Sequence, residues 1–309
     1  GIGYQAVLRL LTLGNNLIVL CRTKKRTDQI YKKLNHDLPD FQISRENLML
    51  PIVDLSDLRS VESFANILIS EGKNIDTLIL NAGLQYTGGN SIRFSNQKIE
   101  LTFAVNHLSH HYLTNRLFNL LTDSDSPRVI VTSSEVHNPF SGGGRVGLPA
   151  GLGDLDGLKK GIGFKMVDGI SSFNADKAYK DSKLCNILFS RELGRRISGL
   201  DKSIPVICWA PGLVIPKSRD GFFRHSRKYN EIGQILFSLI ARDILKITET
   251  PENAGSLLAN IESSNNYLEQ EFIYLSNNLR PFSKHKLDNA KTSLEGSDMS
   301  KAKGLWNLS

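Results

Sequence analysis

"RVIVTSS", residues 128–134, is a short apolar run rich in β-branched side chains that closes on two hydroxyls. Because neighbouring positions are all apolar, the run predicts a strand buried on both faces. Working outward, "DTLILNAG" (76–83), "NLMLPIVDL" (47–55) and "NLIVLCR" (16–22) precede it, and "IPVICWAPG" (204–212) and "EFIYLSN" (271–277) follow. Helix-length periodic segments fill most of the gaps. Strand alternating with helix predicts a parallel sheet covered on both faces, a doubly wound α/β domain. With 309 residues, 40% of them hydrophobic, the chain can bury one such core, and nothing in it requires a second domain.

Two regions depart from the alternation. Residues 135–175, with "HNPFSGGGRVGLPAGLGDLDGLKKG", are too rich in Gly and Pro for a regular element and too long for an ordinary connection. They are expected to form an insertion that closes over the substrate, since both ends are anchored at the site developed below. From 278 to 309 the chain is polar, and a loosely packed C-terminal extension is expected. The chain opens on "GIG" with no initiating Met. The expectation is a fragment whose first strand, and any targeting segment, lie upstream.

A net charge of +7 is spread along the chain without aromatic interleaving, which predicts a solvated basic surface and no nucleic-acid partner. Cys21, Cys185 and Cys208 match neither a disulfide framework nor a zinc site, so a reducing, cytoplasmic compartment is expected. The most apolar helix candidate, "QILFSLIARDIL" (234–245), is broken by Arg242 and Asp243 and falls short of the ~18 to 20 apolar residues of a membrane span. Membrane contact is expected to be peripheral at most. His107, His110 and His111 have no Cys or carboxylate at useful spacing, and no metal site is expected.

In a doubly wound sheet, ligands bind beyond the carboxyl ends of the strands. Gly1 and Gly3, flanking Ile2, stand at the head of a helix, where a phosphate can approach backbone N–H groups. The strand "NLIVLCR" ends in Arg22, and Arg26 follows. A basic residue at this place accommodates a 2′-phosphate, which selects NADPH as the cofactor. Asp54, with Leu55 beside it, ends the next strand and is placed to accept from an adenine amino group. Asn81, Ala82 and Gly83 are small enough to let the cofactor pass. Asn106, in "ELTFAVNHLSHHYLT", falls on the apolar face of a helical pattern. A buried Asn must be hydrogen-bonded, as a backbone prop or as a link in a water relay. Ser134 ends its strand with a hydroxyl that can donate to a substrate oxygen or to a tyrosine. In "AYKDSKLCN" (178–186), Tyr179 and Lys183 are four apart on one helix face. An ammonium beside the phenol is expected to pull its pKa down toward the working pH, as a proton donor requires.

The ordered set Gly1-x-Gly3, Arg22, Asp54, Asn81-Ala82-Gly83, Asn106, Ser134, Tyr179-x-x-x-Lys183 and Pro211-Gly212 resembles the short-chain dehydrogenase/reductases over nearly the whole chain. Of that family's T-G-x-x-x-G-x-G opening, only the last two glycines are present. The resemblance implies a Rossmann-like fold. It gives Tyr179 as proton donor, Lys183 tuning it and holding the nicotinamide ribose, Ser134 orienting substrate and Asn106 propping the relay. "LGDLDGL" (152–158), "MVDG" (166–169), "AYKDSKLCN", the tail "KAKGLW" (301–306) and the long insertion resemble the light-dependent protochlorophyllide reductase branch. That branch implies C=C reduction in chlorophyll biosynthesis, a tetrapyrrole pigment as substrate and a photosynthetic membrane nearby. "SKLCNILFSRELGRR" (182–196) resembles the retinol-dehydrogenase-like branch almost as well, and implies carbonyl or alcohol chemistry on an apolar substrate.

Two departures bear on the substrate. The pigment branch places Cys directly after Pro-Gly and Tyr just before it. Here Leu213 and Ala210 take those places, so a more apolar substrate pocket is expected. Pro216 stands near the point where the family commonly has a Thr for the nicotinamide. These substitutions keep a third reading open, a non-catalytic cofactor- or pigment-binding module. Oligomerisation is left open as well.

Overall fold

The structure is a computed structural model that describes residues 1–86, 88–215, 231, 239, 241, 247–278 and 286–309. Helices α1 (Ile2–Thr12), α2 (Lys24–Asp37) and α3 (Leu58–Glu71) alternate with strands β1 (Leu17–Ile18), β2 (Leu48–Met49) and β3 (Thr77–Leu80). A helical stretch follows, in which α4 (Leu101–Phe103) passes through a π-helical turn, Ala104–Leu108, into α5 (Ser109–Thr122). Strand β4 (Arg128–Thr132) leads through a 3-10 turn (Glu135–His137) and a short α6 (Asp156–Lys159) to the long α7 (Ala175–Ile197). After β5 (Val206–Ala210) come α8 (Pro251–Ser263), β6 (Phe272–Asn278), β7 (Lys286–Asn289) and α9 (Met299–Leu308).

Strands β3-β4-β5-β6-β7 form one sheet in that order, parallel except for β7, and β1 pairs with β2 in parallel. Among the described residues no ladder joins β1 to β3. Helices α1 and α8 cover one face of the larger sheet, burying Ala6, Leu258 and Ile261 against Ile130, Ile207 and Trp209. Their approach is close: a Cβ on Gly255 would stand 2.3 Å from Gln5 Cβ. On the other face α5 and α7 bury Leu121, Ile187 and Phe189 against Val129, Val131 and Cys208. This is the doubly wound architecture, and apolar burial on both faces is what makes the strand runs continuous rather than alternating.

Helix α7 starts where the Asn174 side chain accepts from Lys177 N at 2.8 Å, and it carries Asp176 in its first turn and Arg195 and Arg196 in its last. Those charges complement the helix dipole. Its outer side is covered by the insertion and the tail. Leu152, Leu155, Leu158, Phe164 and Val167 pack with Leu184, Cys185 and Leu188 of α7 and with Ala302 and Leu305 of α9.

Both irregular regions therefore differ from expectation. The insertion is no free lid: its second half is core, because its apolar side chains meet α7 and are excluded from water. The more exposed part carries Phe140, Val146 and Leu148. Nor does the tail pack loosely. Strand β7 adds antiparallel to β6, and Asp298 caps α9 by accepting from Lys301 N at 2.9 Å. Trp306 stacks on Phe189 with ring centroids 5.6 Å apart. Glu295 accepts from Leu152 N at 2.9 Å, tying tail to insertion. No helix among the described residues is long and apolar enough to cross a membrane. Most of 234–245, including Arg242 and Asp243, lies outside the described residues.

Candidate active site

The carboxyl end of β4 is locked to α7. Lys183 Nζ donates to the Thr132 carbonyl at 3.0 Å, Asn186 Nδ2 donates to the same oxygen at 3.2 Å, and Ser133 Oγ donates to the Lys183 carbonyl at 2.8 Å. The Thr132 hydroxyl accepts from Trp209 Nε1 at 3.0 Å and donates to Asn81 Oδ1 at 3.1 Å, which aligns the ends of β3, β4 and β5. Two residues further, Ser134 hydrogen-bonds the Tyr179 phenol. Lys183 Nζ lies 5.7 Å from the Tyr179 ring centroid. Strand and helix thus bring Ser134, Tyr179 and Lys183 together.

Asn106 is fully buried in the π-helical turn, an irregularity often found where a side chain is aimed at a site. Its Oδ1 accepts from Leu84 N at 2.7 Å, and its Nδ2 donates to Leu84 O at 2.9 Å and to Ser182 Oγ at 3.0 Å. Ser182 Oγ donates in turn to the Tyr179 carbonyl at 2.7 Å. Of the two roles open to a buried Asn, these bonds are those of a prop, joining the chain after Gly83 to the first turns of α7. A Cβ on Gly83 would stand 3.3 Å from Asn106 Oδ1 and 3.7 Å from Lys183 Nζ.

The electrostatics correct one expectation. Burial pushes the Tyr179 phenol above its ordinary value, with the Ser134 hydrogen bond opposing and the Asp176 charge adding to the rise. Lys183 does not bring it down. One of its three N–H donors goes to the Thr132 carbonyl, and burial lowers its own pKa to about 8. His110 stays neutral, lowered to about 3 by burial and by the Lys183 charge. His107 and His111 pack with Phe103, Phe189 and Trp306, and no group of His, Cys, Asp and Glu able to hold a metal occurs among the described residues.

On the cofactor side, Gly1 caps α1, and a Cβ there would meet nothing within 4 Å. Gly3 has a structural reason as well, since a Cβ on it would stand 2.9 Å from Asn81 Nδ2. Ile2 is partly buried against the α1/α8 cluster. Arg22 is exposed, without hydrogen bond or ion pair to the described residues, and the exposed Arg26 donates to Gln29 Oε1 at 3.5 Å. Asp54 Oδ1 accepts from Ser56 N at 2.9 Å and Ser56 Oγ at 2.7 Å, so part of its capacity is used in its own turn. Leu55 is partly buried beside α3. Ala82 and Gly83 are exposed.

After β5, Gly212 takes a left-handed φ of 79°, which favours glycine. Asn277 Nδ2 donates to Pro211 O at 3.1 Å and to Glu249 Oε2 at 2.9 Å, while Glu249 N donates to Leu213 O at 2.8 Å, bracing this turn from behind. Leu213 is half-buried. Ala210 is not a pocket residue: it is 0% exposed and packs with Leu80, Val131 and Cys208, because alternation along β5 turns it to the α7 face. Pro216 lies outside the described residues.

Sequence reading missed Thr132, Ser182, Asn186 and the Glu249–Asn277 pair. Thr132 stands within the quoted "TSS" run, but its part depends on its register with Trp209.

A protein-family model described as short chain dehydrogenase matches residues 1–143. The chain is 33% identical over 263 residues to protochlorophyllide reductase A, chloroplastic, of Oryza sativa subsp. japonica, covering 83% of this chain and 65% of that protein. It is 32% identical to protochlorophyllide reductase of Avena sativa, covering 100% of this chain and 95% of that one. To retinol dehydrogenase 14 of Mus musculus it is 32% identical, covering 69% of this chain and 58% of that one. The match thus spans less than two thirds of the rice and mouse proteins' own length. Among solved structures, an uncharacterized protein from Mycobacterium paratuberculosis superposes with a TM-score of 0.67 at 20% identity, covering 99% of this chain and 87% of that one. The Pseudomonas aeruginosa RhlG/NADP active-site complex gives 0.60 at 18%, covering 89% and 90%.

Proposed function

Because the chain belongs to the short-chain dehydrogenase/reductase family, and is an oxidoreductase of that type, we propose that it uses NADPH to reduce an unsaturated bond of a large apolar substrate, with a ring C=C of protochlorophyllide or a related tetrapyrrole as first candidate. The observation that carries the reading is the Ser134–Tyr179 hydrogen bond beside Lys183 at the end of β4. The residues present fit a dinucleotide: Gly1 offers open space at a helix N-terminus, Ala82 and Gly83 are exposed, and the Arg22 guanidinium has no partner among the described residues. Gly1 and Gly3 would receive the phosphates, Arg22 and Arg26 the 2′-phosphate, Asp54 the adenine and Lys183 the ribose. When bound, the nicotinamide supplies hydride.

The protein's own part is the proton. A phenol held above its ordinary pKa keeps its hydrogen at neutral pH, so Tyr179 donates from Oη, and Ser134 Oγ orients it. Asn106 fixes the Leu84 main chain and, through Ser182, the helix turn that carries Tyr179. Leu213 and the exposed part of the insertion would border an apolar substrate.

A second reading, carbonyl reduction in the dark, is favoured by one feature. Two hydroxyls paired at one point, Ser134 and Tyr179, suit a single carbonyl oxygen. The test is the absorption and fluorescence spectrum of full-length protein with NADPH and protochlorophyllide, before and after a flash, beside a dark assay with retinal. Flash-dependent product supports the first reading. Dark oxidation of NADPH with retinal alone moves the second ahead, and neither leaves a binding module.

A further inference from the structure

The 3-10 turn after Ser134 is held at both nitrogens of one imidazole. His137 is 1% exposed. Its Nδ1 lies 2.7 Å from the Ser134 carbonyl oxygen, and its Nε2 accepts from Ser293 N at 3.2 Å. A carbonyl only accepts and a backbone amide only donates, so the ring must be the neutral Nδ1–H tautomer. Burial keeps it neutral, lowering its pKa to about 4. The ring packs edge-on to Tyr274 at 5.2 Å. Ser293 is itself fixed, its Oγ accepting from Gly296 N at 3.0 Å and its carbonyl from Ser297 Oγ at 3.2 Å.

We propose that His137 is a positioning residue, which holds the Ser134 main chain so that the Ser134 hydroxyl meets Tyr179, and which makes that geometry depend on the C-terminal segment 292–297. The inference rests on the roles proposed for Ser134 and Tyr179. Ser134 Oγ is otherwise steadied by a long bond from Val136 N at 3.5 Å, within the same short turn. The Ser134 carbonyl accepts from His137 N at 3.2 Å within the turn, Ser276 Oγ reaches Glu135 Oε1 at 3.0 Å from β6, and the imidazole adds the link from the Ser134 carbonyl to the C-terminal segment. The residue two positions beyond β4 is thereby placed by a segment more than 150 positions away in sequence.

The test is a double-mutant cycle in the full chain, read with protochlorophyllide under a flash and retinal in the dark, with NADPH affinity measured by fluorescence titration. His137→Phe keeps a ring against Tyr274 and removes both hydrogen bonds. It is expected to lower kcat ~10- to 100-fold on the probe that is turned over, to leave the NADPH Kd within about twofold, and to add nothing to Ser134→Ala. His137→Gln, able to donate and accept, should recover part of the loss. A full loss that persists in the Ser134→Ala background overturns the inference, as does unchanged kcat in His137→Phe while Ser134→Ala is inactive. If Ser134→Ala turns over like wild type, the reading of the site fails instead. Should His137→Phe not fold, or neither probe react, 15N NMR of labelled histidine decides. A neutral Nδ1–H ring throughout pH 5 to 8 supports the proposal, and an Nε2–H tautomer or a titration in that range sinks it.

Discussion

Lys183 donates its ammonium hydrogen to the carbonyl of Thr132, 3.0 Å away, rather than to the Tyr179 phenol four residues back on the same helix. The i, i+4 spacing places both side chains on one face of α7, and the carboxyl end of β4 then claims the charge. The consequence is a fixed lysine and a protonated tyrosine: burial raises the phenol and lowers the ammonium. A cofactor ribose would meet an ammonium already aimed by the strand.

Tyr179→Phe retains the ring and deletes only the acid. Turnover is expected to fall by ~10² or more while NADPH affinity, measured by fluorescence titration, stays near wild type. Unchanged turnover removes Tyr179 from the chemistry.

Lys183 has a folded pKa of about 8 against an unfolded value of 10.5. The folded state therefore releases its proton first, and burying the charge costs stability below pH 8, by up to about 3 kcal/mol. Between pH 8 and 10.5 the unfolded chain binds more protons, so wild type gains stability relative to Lys183→Met as pH rises. Urea titrations of both proteins at pH 7 and pH 10 check the sign. The variant should be inactive at either pH.

Arg22 is exposed, makes no hydrogen bond or ion pair with the described residues, and is the residue proposed to receive the 2′-phosphate. A charge-assisted contact contributes roughly 1.5 to 3 kcal/mol, so wild type should prefer NADPH to NADH at least tenfold. Arg22→Glu combined with Arg26→Glu should erase or invert that preference in a Kd measurement. Equal affinities in wild type would refute the cofactor assignment.

Ala210→Tyr and Leu213→Cys, a pair that matches the pigment enzymes on paper, should behave very differently. Tyrosine at 210 has no room in a position that is 0% exposed, and overpacking there should cost ~1 to 3 kcal/mol or more in thermal denaturation. Leu213 is half-buried, and cysteine there should fold normally and alter substrate turnover.

Leu305→Ala tests the tail. The side chain is fully buried against α7 and the insertion, so its loss should destabilise the whole protein by ~2 to 5 kcal/mol in urea unfolding. A loosely packed extension would show almost no change.

What the amino-acid sequence determined by itself is local. Each of the runs 76–83, 128–134 and 204–212 is apolar on both faces, and such a run is stable only between two layers of helix, so the parallel, doubly wound sheet was legible in the sequence. The meeting of Tyr179 and Lys183 on one face of α7 needed only the helical period. Tertiary structure decided the rest, because it depends on register and on distant partners. The face that Ala210 turns to follows from how β5 is packed, and the sequence motif around Pro211 could not reveal it. The polar composition of 286–309 hid Ala302 and Leu305, whose burial exists only because α7 and the insertion supply the other wall. The same holds for charge. Spacing brings Lys183 beside Tyr179, but only the fold brings the Thr132 carbonyl to Lys183 and removes water from both, and desolvation then outweighs the attraction expected between them.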